Sequence, residues 1–255
     1  MKQMKLTLIA ISAFSISCNA LAAPISLSNQ NFETGTLSGW TTLGTVAAVG
    51  ATSVTTFNSI IWNVSPNLTT MAQLNPDGLS VSSIESTLGI TAGTLNALNT
   101  NPDGGSLTDG AAIYQSFTGN SGDTISMAWD YVATDYIPFN DPAFAIIINP
   151  DNSVVVDVLA STHGLGIPVG TAGHSGWNTF DYALTQTGNY TIAFVTTNDK
   201  DTILDSVLFV DNVPGGATCN LENCPTPPSV PEPASLALLG IGLAGLGAMR
   251  RKRRA

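Results

Sequence analysis

The chain has 255 residues, only 10% of them charged, 24 glycines and a formal net charge of −10. All eighteen carboxylates except Glu232 fall between Ala23 and Ser229, where Lys200 is the only lysine or arginine. Such a body excludes nucleic acid and anionic lipid as partners, because binding either depends on Lys and Arg displacing counterions. It leaves a plainly solvated acidic exterior or an affinity for divalent cations.

The opening "MKQMKLTLIAISAFSISCNALAAP" sets Lys2 and Lys5 before an apolar stretch from Leu6 to about Ile16 and an Ala20-Leu21-Ala22 site. That order is a secretory signal peptide over residues 1–22. Ser15-Ile16-Ser17 lacks the leucine of a lipoprotein signal, so Cys18 is expected to leave with the leader.

Residues 23–213 read as strand and turn. "SSIESTLGITAGTLNAL" is the one helical stretch, with Ile84 and Leu88 on a common face. "GAAIYQSFT", "DTISMAWDYVA", "AFAIIIN" and "SVVVDVLA" are β-branched and aromatic runs separated by "GNSG", "DYIPFNDP" and "PDN". The "NPDN" between two apolar runs predicts a hairpin. "GWNTFDYALT", "NYTIAFVTT" and "TILDSVLFVDNV" follow. Alternation of Tyr190, Ile192 and Phe194 against Thr191, Ala193 and Val195 predicts one wetter side. Roughly nine to eleven strands without a βαβ rhythm predict an all-β fold, an antiparallel β-sandwich of jelly-roll type.

Within this body Asp130, Asp135, Asn140 and Asp141 gather around a proline loop, as turn formers, a cation site or a sugar-binding edge. Trp40, Trp62, Trp129 and Trp177 are core residues or stacking platforms, and Trp62 and Tyr136 sit nearest to loop chemistry. His163 and His174 lie in "STHGLGIPVGTAGHSGW" and could ligate metal or act as a base, the one opening for a secreted hydrolase. No His-Glu-x-x-His or Gly-x-Ser-x-Gly motif accompanies them, and no enzyme is expected.

Residues 214–229, "PGGATCNLENCPTPPS", form a Pro/Gly linker. In an oxidising periplasm Cys219 and Cys224 are expected to close a small disulfide loop, since two thiols cannot complete a zinc site. Residues 230–255 hold Pro231-Glu232-Pro233, an apolar run from Ala234 to Met249, and the cations Arg250, Arg251, Lys252, Arg253 and Arg254. As a helix that run rises about 24 Å, short of a hydrocarbon core of about 30 Å unless Arg250 snorkels. The cation cluster should stay in the cytoplasm by the positive-inside rule, leaving the body outside.

The three parts in that order, over about twenty-six residues, resemble the PEP-CTERM sorting signal of exopolysaccharide-producing Gram-negative bacteria. The resemblance implies processing by an exosortase, a transient inner-membrane tether, and release to the cell surface or extracellular matrix. There the implied role is structural or adhesive, in an exopolysaccharide or biofilm setting.

"NQNFETGTLSGW" (Asn29 to Trp40) and "LDSVLFVDNV" (Leu204 to Val213) resemble the first and last strands of galactose-binding-like jelly rolls, common in carbohydrate-binding modules. Position by position, that likeness implies that Glu33 and Asp211 help ligate a structural calcium. The stretch from "SLTDGAAIYQSF" through "FNDPAFAIIIN" resembles a widespread body type of PEP-CTERM proteins to which no activity is assigned.

Overall fold

Residues 23–213 are described by a computed structural model. The expected signal peptide, the linker with Cys219 and Cys224, and the tail from Pro231 onward lie outside the described residues. Among the described residues no helix is long and apolar enough to cross a membrane.

The strands in chain order are β1 (Thr41–Leu43), β2 (Thr45–Val49), β3 (Thr52–Thr55), β4 (Ile61–Val64), β5 (Met71–Asn75) and β6 (Leu79–Ser80). Helices α1 (Val81–Leu88) and α2 (Thr94–Leu98) follow. Then come β7 (Leu107–Gly119), β8 (Thr124–Val132), β9 (Ala143–Ile148), β10 (Val154–Ser161), β11 (Ile167–Pro168), β12 (Asn178–Ala183), β13 (Gly188–Asp199) and β14 (Val207–Asp211). One sheet runs β1-β7-β13-β9-β10-β11, with β6 also on β7, and the other runs β12-β8-β14-β5-β2. All pairs are antiparallel except the short β10–β11 contact. The expected hairpin joins β9 to β10, with Asn152 in the left-handed region at φ 63°.

Between the sheets lies the main core. β13 contributes Tyr190, Ile192 and Phe194, β8 contributes Ile125, Met127, Trp129 and Tyr131, and β14 contributes Leu208 and Val210. Alternate residues face inward because successive strand side chains point to opposite faces.

The outer faces are not wet. Ala193 and Val195, on the side of β13 expected to be wetter, are buried with Ala112, Phe144 and Ile146 under Ile84, Leu88 and Leu95 of the two helices. On the other sheet, Met71, Val132 and Phe209 are covered by Val54 and Val64 of the β3–β4 hairpin. Four layers result, and the early strands that build them came from segments too short and polar to show alternation. The stretch 29–40, expected to open as a strand, consists of turns, with Asn29 and Phe32 at positive φ and Phe32 fully buried.

The predicted helical stretch forms two helices rather than one. Ser80 caps α1 by accepting from Ser83 N at 3.3 Å, and Gly89 ends it at φ 69°. Glu85, 2% exposed, then reaches across to α2, accepting from Gly93 N at 2.7 Å and Leu95 N at 2.8 Å. Removing that carboxylate strands two buried donors, at about 2–3 kcal/mol. Calorimetry of Glu85→Ala should show a melting temperature lower by about 4–12 °C, with Glu85→Gln recovering part of the loss because one amide oxygen still accepts.

Candidate functional site

The antiparallel topology gathers the β5–β6, α2–β7, β8–β9, β10–β12 and β13–β14 connections at one end of the sandwich. Asp199, the last residue of β13, is fully buried there. Its Oδ1 accepts from Asn99 Nδ2 at 2.8 Å, and its Oδ2 accepts from Asn101 Nδ2 and from Asn140 N. A Cβ at Gly105 would fall 2.2 Å from Asp199 Oδ1, so the α2–β7 loop closes over this carboxylate only with glycine at that position. Asp199 N in turn donates to Asp141 Oδ1 at 2.8 Å, and Ser206 Oγ donates to Asp141 Oδ2 at 2.8 Å. Burial pushes the Asp141 carboxyl well up, against these donors and with the charges of Asp135 and Asp199 adding to it. Asp135 rises to about 6, again chiefly through burial and further through Asp201, while its Oδ1 accepts from Tyr136 N.

Both histidines stand beside carboxylates. His163 Nε2 lies 2.9 Å from Asn101 Oδ1 and 3.6 Å from Asp103 Oδ2, with its buried Nδ1 unpartnered. His174 Nε2 sits between the Asp130 oxygens at 2.8 and 2.9 Å, its ring packed on Trp62 at 4.9 Å. Ser175 Oγ has Asp130 Oδ1 at 3.1 Å and Gly176 O at 2.8 Å as acceptors for its one proton, and does not bond the histidine. Asp130 therefore anchors strand β8 to the loop ahead of β12 rather than forming a turn, and Asn140 and Asp141 are buried network members.

The same end exposes apolar surface. Phe57 packs on Tyr136 at 4.7 Å between ring centroids, and Tyr136 on Phe139 at 5.2 Å. Phe57 and Tyr136 keep 41% and 38% of their surface in water, and Ile60, Ile137, Ile203 and Leu204 are also exposed. Phe57 N donates to Thr134 O and Thr134 Oγ1 to Leu204 O, which ties the three loops into one ledge. Of the tryptophans, Trp40 and Trp129 are core, and Trp62 and Trp177 cover the outer face of the second sheet. Phe57 was missed in the sequence because its polar neighbours gave no periodic signal. A groove of about 250 Å³ also opens among Ser80, Ser82, Glu85, Asn96 and Thr108.

Glu33 and Asp211 do come together, on one loop between β4 and β5. Glu33 Oε1 accepts from Thr69 N at 2.8 Å and Thr70 N at 2.9 Å, and Oε2 accepts from Thr69 Oγ1. Asp211 accepts from Asn67 N at 2.8 Å and Asn212 N at 2.7 Å. Burial raises Asp211 to about 6, outweighing these donors, and the Glu33 charge adds to the rise. Burial raises Glu33 too, but its hydrogen bonds from Thr69 and Thr70 prevail and hold it low. Among the described residues no three His, Cys, Asp or Glu side chains converge to hold a metal ion.

Residues 229–254 match the family model described as the PEP-CTERM protein-sorting motif, so the chain carries a sorting tail of an exported protein, which implies exosortase processing. No curated protein matches the chain. Among solved structures, TmCBM61 in complex with β-1,4-galactotriose is similar at 13% identity and TM-score 0.41, over 73% of this chain and 93% of that one. The CBM22-1 xylan-binding domain of Paenibacillus barcinonensis Xyn10C is similar at 14% identity and TM-score 0.33, over 76% and 94%. The enzymatically active domain of bacteriophage CBA120 tailspike protein 4 is similar at 14% identity and TM-score 0.36, over 72% of this chain but 20% of that one.

The raised carboxyls fix the sign of the pH dependence. Asp135 holds a proton in the folded state up to about pH 6, whereas the unfolded chain releases it near pH 4. The stability it contributes is full below about pH 4 and is lost as pH rises through about 6. Lowered Asp123 and Asp151, the latter at about 2, act in the opposite sense only below about pH 4. In chelator the domain should therefore melt higher at pH 5 than at pH 7.5. Asp135→Asn keeps the acceptor for Tyr136 N and should raise the pH 7.5 melting temperature by about 2–4 °C, worth about 1 kcal/mol after solvent screening, with no gain at pH 4.5.

Proposed function

We propose that this chain is an exported protein, freed from the inner membrane by exosortase cleavage, whose β-sandwich binds polysaccharide at the cell surface or in the extracellular matrix. The observation that carries this reading is the ledge of Phe57, Tyr136 and Phe139, three rings in series beside hydrogen-bonding side chains. A sugar ring offers a C–H face that stacks on such rings, while its hydroxyls suit carboxylate and amide oxygens. With Lys200 as the one lysine or arginine of the described residues, the body favours a neutral glycan over an anionic one.

The ends supply the route. Lys2, Lys5 and the apolar leader start export, and the Ala234–Met249 run holds the chain in the bilayer with Arg250 to Arg254 inside. Cleavage near Pro231 to Pro233 then releases the body.

The body is read as a binding module and not an enzyme. His174 Nε2 is committed to Asp130, and Ser175 Oγ bonds Asp130 and Gly176 rather than the histidine, so no nucleophile–base pair forms there. The Glu33–Asp211 clip suits a structural calcium, because its carboxylate oxygens are hard ligands and repel one another across one loop. Calcium there would neutralise that repulsion and staple the mature N-terminal segment to β14.

Affinity electrophoresis against a panel of neutral and anionic polysaccharides tests the ledge. Phe57→Ala and Tyr136→Ala should each weaken retention about tenfold with little change in melting temperature. Unaltered retention of the double variant, or no retention of the wild type, ends the reading. For the clip, chelation should lower the wild-type melting temperature and leave Glu33→Ala less affected; equal responses would remove calcium from that site.

A further inference from the structure

Asn198, one residue before Asp199, is 1% exposed. Its Nδ2 lies 3.0 Å from Pro76 O, 3.1 Å from Asp109 Oδ1 and 2.9 Å from Asp205 Oδ1. An amide nitrogen has two protons, so three acceptors around it are one too many. Its Oδ1, also buried, has no partner at all. A buried amide normally distributes its partners the other way.

The two ends of an amide are nearly isosteric, and which is oxygen is decided by the surroundings. Turned about its last bond, Asn198 would aim Oδ1 at the same three oxygens. Four oxygens from four chain segments would then converge with no proton between them, a donor set that suits a cation. The charge agrees. Asp109 and Asp205 both reach the one Asn198 amide end, at 3.1 and 2.9 Å, so two carboxylates share a single point. Lys200 offers no relief, since its Nζ donates to Asp103 O at 3.3 Å.

We propose that Asn198 Oδ1, Asp109, Asp205 and the Pro76 carbonyl form a calcium site. The donor set is all oxygen, mixing carboxylate, amide and carbonyl, which selects a hard cation over zinc or copper. Its origin in four separate segments fits the adaptable shell of calcium better than the strict octahedron of magnesium, and water would complete the coordination. The site is distinct from the Glu33–Asp211 clip. Asp205 precedes β14 and Asp211 ends it, about 20 Å away at ~3.3 Å per residue. Calcium here would join the β5–β6 turn, the start of β7, the end of β13 and the β13–β14 loop.

The test is calcium titration by isothermal calorimetry, with melting curves in calcium and in EGTA, on the full mature chain carrying Glu33→Gln so that the clip does not contribute. Calcium should bind and raise the melting temperature, and magnesium should bind at least tenfold more weakly. Asp205→Asn should weaken calcium binding at least tenfold, yet be no less stable than its parent in EGTA, because it removes a carboxylate from a repulsive group. Asn198→Asp gives the sharpest contrast. It should lower the melting temperature in EGTA and recover fully in calcium, with affinity raised. If Asn198 only donates hydrogen bonds, Asn198→Asp will stay destabilised in both conditions, and the proposal is overturned. Calcium affinity unchanged by Asp205→Asn and Asp109→Asn, no calcium binding by the parent, or equal binding of magnesium overturns it as well.

Discussion

Asp199 holds the loop end of the sandwich together. A carboxylate with no exposed surface must be met by donors, and the chain, with Lys200 as the one lysine or arginine of its described residues, meets it with the amides of Asn99 and Asn101 and the backbone of Asn140. Amides fix direction as well as charge. The donors come from two connections, Asn99 and Asn101 from one and Asn140 from the other, so α2–β7 and β8–β9 are locked to the end of β13, and Gly105 leaves the room they need. Asp141 extends the lock to Ser206 and so to the start of β14. The aromatic ledge stands on this base. Its loops are held by buried polar bonds, so its rings can stay in water without the loops collapsing onto them.

The cost of the arrangement is electrostatic. Asp135, Asp141 and Asp205 all rise from their ordinary range, chiefly by burial and further by neighbouring carboxylates. Carboxylates crowded beyond what fold stability needs are a common mark of sites that meet a ligand. At this end two kinds of demand coexist: Asp199 is saturated by donors, whereas Asn198 is surrounded by acceptors and lacks a donor for its own oxygen. Adjacent residues on one strand thus face opposite problems, and only the second calls for a cation.

Much of the fold was legible. Long strands such as β7, β8 and β13 announce themselves by β-branched and aromatic content, and the β9–β10 hairpin by its turn residues. Layer count was not legible. Ala193 and Val195 read as the wetter side of β13 because alternation reports only that two faces differ, not that helices from about a hundred residues earlier cover the second. The strand expected at 29–40 came from the likeness of that stretch to the first strand of galactose-binding-like jelly rolls, whereas its residues form turns and Phe32 reaches the core from a left-handed one. Glu33 and Asp211, which the family likeness names as calcium ligands, both accept hydrogen bonds from the loop between β4 and β5. Thr69, which meets Glu33, carried no signal, and the convergence on Asn198 depends on four segments that no local pattern connects.

The sorting tail and the body make opposite demands on charge, and their separation by cleavage resolves the conflict. Arg250 to Arg254 need an anionic inner leaflet, while a body with one lysine and sixteen described carboxylates is repelled by any anionic surface it meets. On the proposed route, a body held at the membrane by its tail would gain nothing from that surface, and once cut nothing in its charge would return it there. The same charge selects among destinations. Anionic glycans repel it as lipids do, unless divalent ions intervene, whereas neutral glycans meet only the apolar ledge and its oxygen acceptors. A cation held between Asp109 and Asp205 lowers the charge of the loop end that carries the ledge, and so bears directly on which polymer the released domain can approach.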